Sequence, residues 1–218
     1  MLAVDTATST VGAAVLRDGA PPVAAAAEGP RAQTELLAPL VERVLAEAGV
    51  RPPELTDLAV GTGPGPFTGL RVGLVTAVTM GHALGCPVHG VCSLDVLAEQ
   101  ALAASGVDEV LVATDARRRE VYWARYRRGP DGAERLGAPA VDRPAELAEE
   151  VRALPTAGRG PLLYPESFPS RVDGVLDVDP GVLGALALHR LASGTPMPVE
   201  PLYLRRPDAL TTAERAAR

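Results

Sequence analysis

The sequence predicts an α/β protein made of two related lobes, and three observations carry that prediction. An apolar run ending in an acid occurs twice, as Leu2-Ala3-Val4-Asp5 and as Val110-Leu111-Val112-Ala113-Thr114-Asp115. Each is followed by a second strand-like run and a turn, and Asp5 precedes Gly19 by the same 14 positions that separate Asp115 from Gly129. Segments of helical periodicity alternate with these hairpins, as expected for layers of helix on sheet. A repeated order of strand, acid and hairpin is the mark of an internally duplicated fold. At 218 residues, 47% of them hydrophobic, the chain can form one large domain or two small lobes with real cores.

The elements follow in order. Leu2 to Val4 is a short apolar strand, Val11 to Leu16 a second, Arg17-Asp18-Gly19 a turn, and Val23 to Glu28 a third strand. Residues 31–49 place Leu37, Leu40, Val41, Val44, Leu45 and Ala48 on one helical face, with Pro39 inside the pattern as a kink or as part of the first turns, and Gly49 as the stop. Leu58 to Val60 is a strand, a helix runs to about Gly85, and Pro87 to Val91 is the next strand. Ser93 is placed to N-cap a helix from Leu94 to about Ala104. Val110 to Asp115 and Glu120 to Arg127 open the second unit as strands. Residues 144–154 and 181–193 are helix-like, 155–180 is punctuated by Pro and Gly, and the tail after Glu214 frays.

The most informative segment is Gly61-Thr62-Gly63-Pro64-Gly65-Pro66-Phe67-Thr68-Gly69-Leu70-Arg71-Val72-Gly73, between a strand and a helix. Strand, glycine-rich turn and helix N-terminus can receive a phosphate through backbone N–H groups. Pro64 and Pro66 have no N–H to donate, however, and no Gly-Lys-Ser/Thr follows, so the segment is not a P-loop. It is shaped more than charged. The helix after it carries Gly69, Gly73, Ala77, Gly81 and Gly85 at four-residue steps, which drift by about 40° per step. Interior glycines each cost about 1 kcal/mol relative to alanine, so close approach of another backbone is expected, from an intrachain sheet or from another subunit.

Composition removes several function classes. The net charge is −6, which disfavours unaided nucleic-acid binding. All 21 basic residues are Arg, and the lack of Lys excludes Schiff-base chemistry and most kinase and P-loop mechanisms. Two cysteines give no disulfide framework, the uncharged stretch Val72 to Cys86 is too short to span a bilayer, and no signal peptide is visible; a cytoplasmic chain without membrane contact is expected.

Three constellations are candidate sites. Asp5 with Thr6, Thr8, Ser9 and Thr10 either sits beside a phosphate or metal-bound water, or is a turn device that satisfies backbone groups. His82, Cys86, His89 and Cys92 match no zinc spacing, because His89 and Cys92 point to opposite sides of a strand. With His189 as the only other histidine, no H-x-x-x-H metal pair exists. No G-x-S-x-G elbow supports hydrolase chemistry. The Arg runs 117–119 and 125, 127, 128 are solvated surface or an RNA contact inside a larger assembly.

Asp5-Thr6-Ala7-Thr8, the Gly63–Gly73 segment, Asp115-Ala116-Arg117 with Glu120-Val121-Tyr122, and Pro201-Leu202-Tyr203-Leu204-Arg205 together resemble the TsaB (YeaZ) family, in order from residue 2 to about 206. The resemblance implies an actin-like, sugar-kinase-like (ASKHA) α/β fold, here with an N-terminal lobe over 1–105 and a smaller C-terminal lobe over 106–218. It implies a non-catalytic subunit that binds and activates the TsaD transferase in forming N6-threonylcarbamoyladenosine at position 37 of tRNAs reading ANN codons, with TsaE as third partner. A homodimer when free, tRNA contact only through the complex, no cofactor or metal of its own, and ATP or ADP at the level of the complex are implied as well. The partner surface it implies comprises Leu37, Leu40, Val41 and Val44 of the first helix and Leu70, Gly73, Leu74, Ala77, Val78 and Gly81 of the second. Where family members carry Arg-x-His, this chain has Arg31-Ala32-Gln33, and Gln33 cannot titrate. A stand-alone actin-fold ATPase or phosphotransferase is the alternative, and a glycoprotease reading has no nucleophile–base set.

Overall fold

In the computed structural model, which describes residues 1–28 and 32–205, the apolar runs assemble into two sheets. The first contains β1 (Leu2–Asp5), β2 (Thr10–Val15), β3 (Val23–Glu28), β4 (Leu58–Gly61) and β5 (Val88–Val91), in spatial order β3-β2-β1-β4-β5. β1, β2 and β3 form an antiparallel meander, whereas β4 and β5 run parallel to β1. The second contains β6 (Glu109–Asp115), β7 (Val121–Gly129), β8 (Gly132–Arg135) and β10 (Thr156–Ala157) in order β10-β6-β7-β8, with β9 (Ala140–Asp142) also paired to β7. Again the first three strands are an antiparallel meander and the last lies parallel on the far side of the first. One plan is used twice. Asp5 and Asp115 end the equivalent strands β1 and β6, and Gly19 and Gly129 fall at the equivalent hairpins.

Every residue of β1 and β4 is buried, which explains why they read as unbroken apolar runs rather than as alternating ones. Helices α1 (Ala32–Ala48) and α2 (Phe67–Leu84) cover one face of the first sheet. α1 continues through Pro39, which faces solvent inside the helix instead of marking its first turns. α2 ends at Gly85, whose left-handed φ of 69° favours a residue without a side chain and whose N–H donates to the Gly81 carbonyl. The remaining helices are α3 (Ser93–Ser105), α4 (Glu149–Arg152), α5 (Gly160–Leu163) and α6 (Pro180–Ala192).

Two local expectations need correction. Ser93 does not cap α3: the N-cap is Cys92, and the Ser93 hydroxyl turns to the Asp5 carboxylate instead. The long helix expected over 144–154 breaks into a 3-10 turn at Pro144–Glu146 and the single-turn α4, because Leu147 and Ala148 adopt extended backbone between them. The tail after Glu214 lies outside the described residues.

A boundary at 105/106 falls between α3 and β6, but packing crosses it in both directions. α3, from the first half, packs on β6, β7 and β8, whereas α6, from the second half, lies on the first sheet. One apolar core accordingly joins Ala3, Ala14 and Leu16 to Val110, Tyr126, Leu183 and Ala187. Gly184 makes the fit, since a side chain there would overlap Leu16. The junction also holds a buried acid. Asp95 accepts hydrogen bonds from the Tyr126 hydroxyl (2.8 Å) and from Arg135 and Arg190, tying α3, β7, β8 and α6 together. Burial would raise its carboxyl, but the two guanidiniums prevail and hold it below the usual range.

Candidate functional site

The glycine-rich segment receives the Asp5 turn, not an open pocket. Gly65 lies so close to the Ala7 backbone that a side chain would overlap the Ala7 carbonyl, and a side chain at Gly61 would occupy the place of the Asp5 carboxylate. The Thr6 hydroxyl donates to the Gly69 carbonyl (2.7 Å) and accepts from the Gly73 N–H (3.0 Å). Those two groups are the pair that an α-helix ordinarily closes on itself, so Thr6 is inserted into the ladder of α2. A Cβ on Gly73 would meet that hydroxyl. Of the two sequence alternatives for the small-residue stripe, the structure shows the intrachain one. Gly73 faces Thr6, and Gly81 faces Val88 and the Cys86 carbonyl.

Asp5 itself is fully consumed. One carboxylate oxygen accepts from the Ala7 N–H (2.9 Å) and the other from Ser93 (2.6 Å). Burial pushes its carboxyl up to about 6, against the pull of those hydrogen bonds. Thr6 is bound in α2 and Thr8 lies 3.5 Å from the Thr10 hydroxyl. Of the candidates for phosphate or cofactor binding around Asp5, Thr8 and Ser9 line the cleft between the lobes, and Asp5, Thr6 and Thr10 do not.

That cleft has a volume of about 530 Å³ and is bordered by Ser9, Glu28, Thr68, Asp115, Arg159 and Asp177 among others. Its charges are committed to one another. Arg159 pairs with Asp177 (2.6 Å) and with Glu28 (2.7 Å), and Asp177 also accepts the Ser9 N–H (3.1 Å). The Arg159 bridge therefore spans from the second half of the chain to β3. Three carboxylates and two arginines at the wall make a poor cradle for a polyphosphate.

The remaining metal-type residues do not converge. His82 is exposed on α2, His89 is 2.9 Å from the Asp57 carboxylate, and burial pushes the Cys92 thiol up to about 12. No cluster of three potential metal ligands occurs among the described residues. No helix among them is long and apolar enough to cross a membrane.

The structure corrects the partner face. Leu37, Leu40, Val41, Val44, Leu70, Leu74 and Ala77 are core residues packed against the first sheet, and Gly73 and Gly81 are buried too. Only Val78 of the expected set reaches solvent, at 48% exposure. Helical periodicity identified the apolar face correctly, but that face belongs inward. What α2 turns outward is a second apolar row, with Val75 at 62% exposure between Arg71 and Val78 and with Phe67 at 44% at its start. α1 presents Ala38, Pro39, Glu42 and Ala46 to solvent. The Gln33 side chain lies outside the described residues.

A feature that sequence patterns did not reveal sits beside the start of α2. Arg117, Arg118 and Arg119 all have positive φ, at 62°, 54° and 64°. Left-handed backbone costs a side-chain-bearing residue about 1–2 kcal/mol, and three in succession are held by hydrogen bonds from Arg117 N–H to Asp115 (2.7 Å) and Glu120 N–H to the Arg117 carbonyl (2.9 Å).

Two sheets of one plan, each with an acid closing its first strand and one cleft between them, define an actin-like, sugar-kinase-like (ASKHA) protein. A family model described as TsaD, tRNA N6-adenosine threonylcarbamoyltransferase, matches residues 21–166. The TsaB protein of Escherichia coli, named for tRNA threonylcarbamoyladenosine biosynthesis, is 34% identical, with 94% of each chain covered. YeaZ from Pseudomonas aeruginosa superposes with a TM-score of 0.81 at 32% identity, over 93% of this chain and 98% of that one. An uncharacterised Mycobacterium leprae protein is 42% identical over 96% of this chain, which spans only 55% of that relative's length. The chain belongs to the TsaB (YeaZ) family.

Proposed function

We propose that the chain is a non-catalytic subunit of tRNA N6-threonylcarbamoyladenosine synthesis, which binds a TsaD homologue through the outward face of α2 and activates it, with a TsaE homologue as further partner. The carrying observation is the exposed row Val75 and Val78 on a helix without a charge from Val72 to Cys86. An apolar row on a solvent-facing helix is the anchor pattern of a protein interface. The names of the relatives supply the pathway, and the internal use of Asp5, Thr6 and Arg159 supports a role without chemistry of its own. On this reading the chain holds no cofactor, ATP or ADP acts at the level of the complex, and the free chain pairs with a second copy through the same row. Activation is a population shift: a partner that binds one arrangement of the transferase more tightly favours it by that difference.

Co-expression with the TsaD and TsaE homologues of the same organism tests the proposal. Wild type is expected to co-elute with the transferase, and Val75→Arg/Val78→Arg to stay folded and elute alone. Co-elution of that folded variant would remove the α2 face from consideration. Threonylcarbamoyladenosine in tRNA, read by mass spectrometry, should fall when the chain is depleted. ATP turnover by the chain alone that Asp5→Ala abolishes without unfolding it would establish the enzyme alternative.

A further inference from the structure

We propose that the arginine turn 117–119 and the stack formed by Phe67, Arg71 and Tyr203 make one contact surface for the single-stranded loop of tRNA; the inference rests on the function proposed above. The two parts border a single cavity of about 360 Å³, lined by Pro66, Phe67, Arg117, Arg118, Tyr203 and Arg205 among others. Arg71 lies 4.0 Å over the centre of the Phe67 ring and donates to the Tyr203 hydroxyl (3.0 Å). The two rings stand 5.3 Å apart and are each more than two-fifths exposed, at 44% and 42%. Arg205, two residues beyond Tyr203, pairs with Glu120 and donates to the Ala116 carbonyl (2.9 Å), which fastens the stack to the turn.

The chemistry selects RNA over an acidic protein. Arg117, Arg118 and Arg205 line this cavity, Arg71 stacks beside it and Arg119 follows in the turn, against two carboxylates, Asp115 and Glu120, which pair with Arg117 and Arg205, in a chain whose net charge is −6. The chain as a whole carries a charge that disfavours a polyanion, so a local excess of cations is where one would be received and oriented. Exposed aromatic faces beside guanidiniums are what unstacked bases and their phosphates require, whereas an acidic peptide would use the charges alone. The turn adds a second argument. Asn, Asp or Gly would hold positive φ at less cost, yet all three positions carry exposed cations. The patch also continues the docking helix, since Phe67 and Arg71 precede Val75 and Val78 on the same side of α2. A transferase seated there would share the bound loop.

The test uses a transcript of a tRNA reading ANN codons, titrated by fluorescence anisotropy at several salt concentrations onto the chain with its TsaD homologue and onto the chain alone. Arg118→Gly/Arg119→Gly keeps the left-handed backbone without strain, Arg118→Lys/Arg119→Lys keeps the charge, and Tyr203→Leu removes a stacking face. Because the glycine variant lacks two cations that would neutralise phosphates, its slope of log affinity against log salt should flatten by about 1.4, whereas the lysine variant should keep the wild-type slope. Tyr203→Leu should weaken binding about fivefold or more. Unchanged affinity and slope in a glycine variant that still co-elutes with the transferase would overturn the inference and leave the proposed function standing. Loss of the transferase with RNA affinity intact would make the patch a protein contact and overturn it equally. If wild type never joins the transferase, the proposed function falls. The chain-alone titration then decides: salt-dependent binding that the glycine variant loses supports the surface, and no binding by wild type refutes it.

Discussion

An Asp5→Asn chain keeps the shape of the side chain but not its charge. The buried carboxyl of Asp5 is pushed by burial from its usual 3.8 up to about 6. A shift of about two units corresponds to about 3 kcal/mol, and the group is too deeply buried for solvent to screen it. Because the folded chain binds this proton more tightly than the unfolded one, the contribution favours folding at low pH and is lost as the pH rises from about 4 through about 6. Asparagine can accept the Ala7 N–H as Asp5 does and donate to the Ser93 oxygen, which accepts the Gly63 N–H on one lone pair and has a second. Asp5→Asn should therefore match wild type near pH 4 and exceed it by about 1–3 kcal/mol near pH 8, read from urea unfolding. Asp95, whose carboxyl is held low by its arginines despite burial, acts at pH values below this window and leaves the comparison clean. A variant less stable than wild type near pH 8 would refute the buried-charge argument. A folded variant that failed to support threonylcarbamoyladenosine formation in the reconstituted complex would refute the structural role assigned to Asp5.

Other expectations follow from the same contacts. Gly65→Ala forces a methyl into the Ala7 carbonyl and should cost about 1–3 kcal/mol or more in thermal or urea unfolding. Asp95→Ala strands Arg135, Arg190 and the Tyr126 hydroxyl at the junction, so a loss of about 3–5 kcal/mol is expected, and a smaller one would mean that water reaches the site. Gly73→Arg drives a charge into the Thr6 contact and should unfold the chain, whereas Val78→Arg should leave its circular dichroism unchanged while weakening transferase binding.

Much of this architecture was legible because strands buried on both faces write themselves as apolar runs. Leu2–Asp5 and Glu109–Asp115 announced both lobes and their equivalence, and the matched 14-residue spacing survives as a pair of equivalent hairpins. Helical periodicity found α1 and α2 but could not say what their apolar faces touch. The family resemblance assigned Leu37, Val44 and Leu74 to a partner, whereas the first sheet takes them. The glycines gave the correct alternatives without choosing between them, since a missing Cβ shows that something comes close and not what. Ser93 misled because a serine before a helix usually caps it, and only the fold brings Asp5, 88 residues earlier, to its hydroxyl. The arginine turn had no signal in its backbone, because no residue type there prefers positive φ.

The exchange of helices between the halves bears on how the protein is made. The inner face of β1 and β2 is covered by α6, so Ala3, Ala14 and Leu16 await a helix some 90 residues beyond the end of β5. At bacterial synthesis rates of roughly 5–20 residues per second, that face stands open for about 5–20 s while the rest emerges from the ribosome. A nascent chain stalled before Pro180 should thus remain open to protease and bind a ribosome-associated chaperone, and one stalled well past Ala192 should not. Protection that arose already at the shorter length would mean that the first sheet finds another cover during synthesis. The first half is held in waiting by α6, and the inner face of its sheet closes only after that helix has been made.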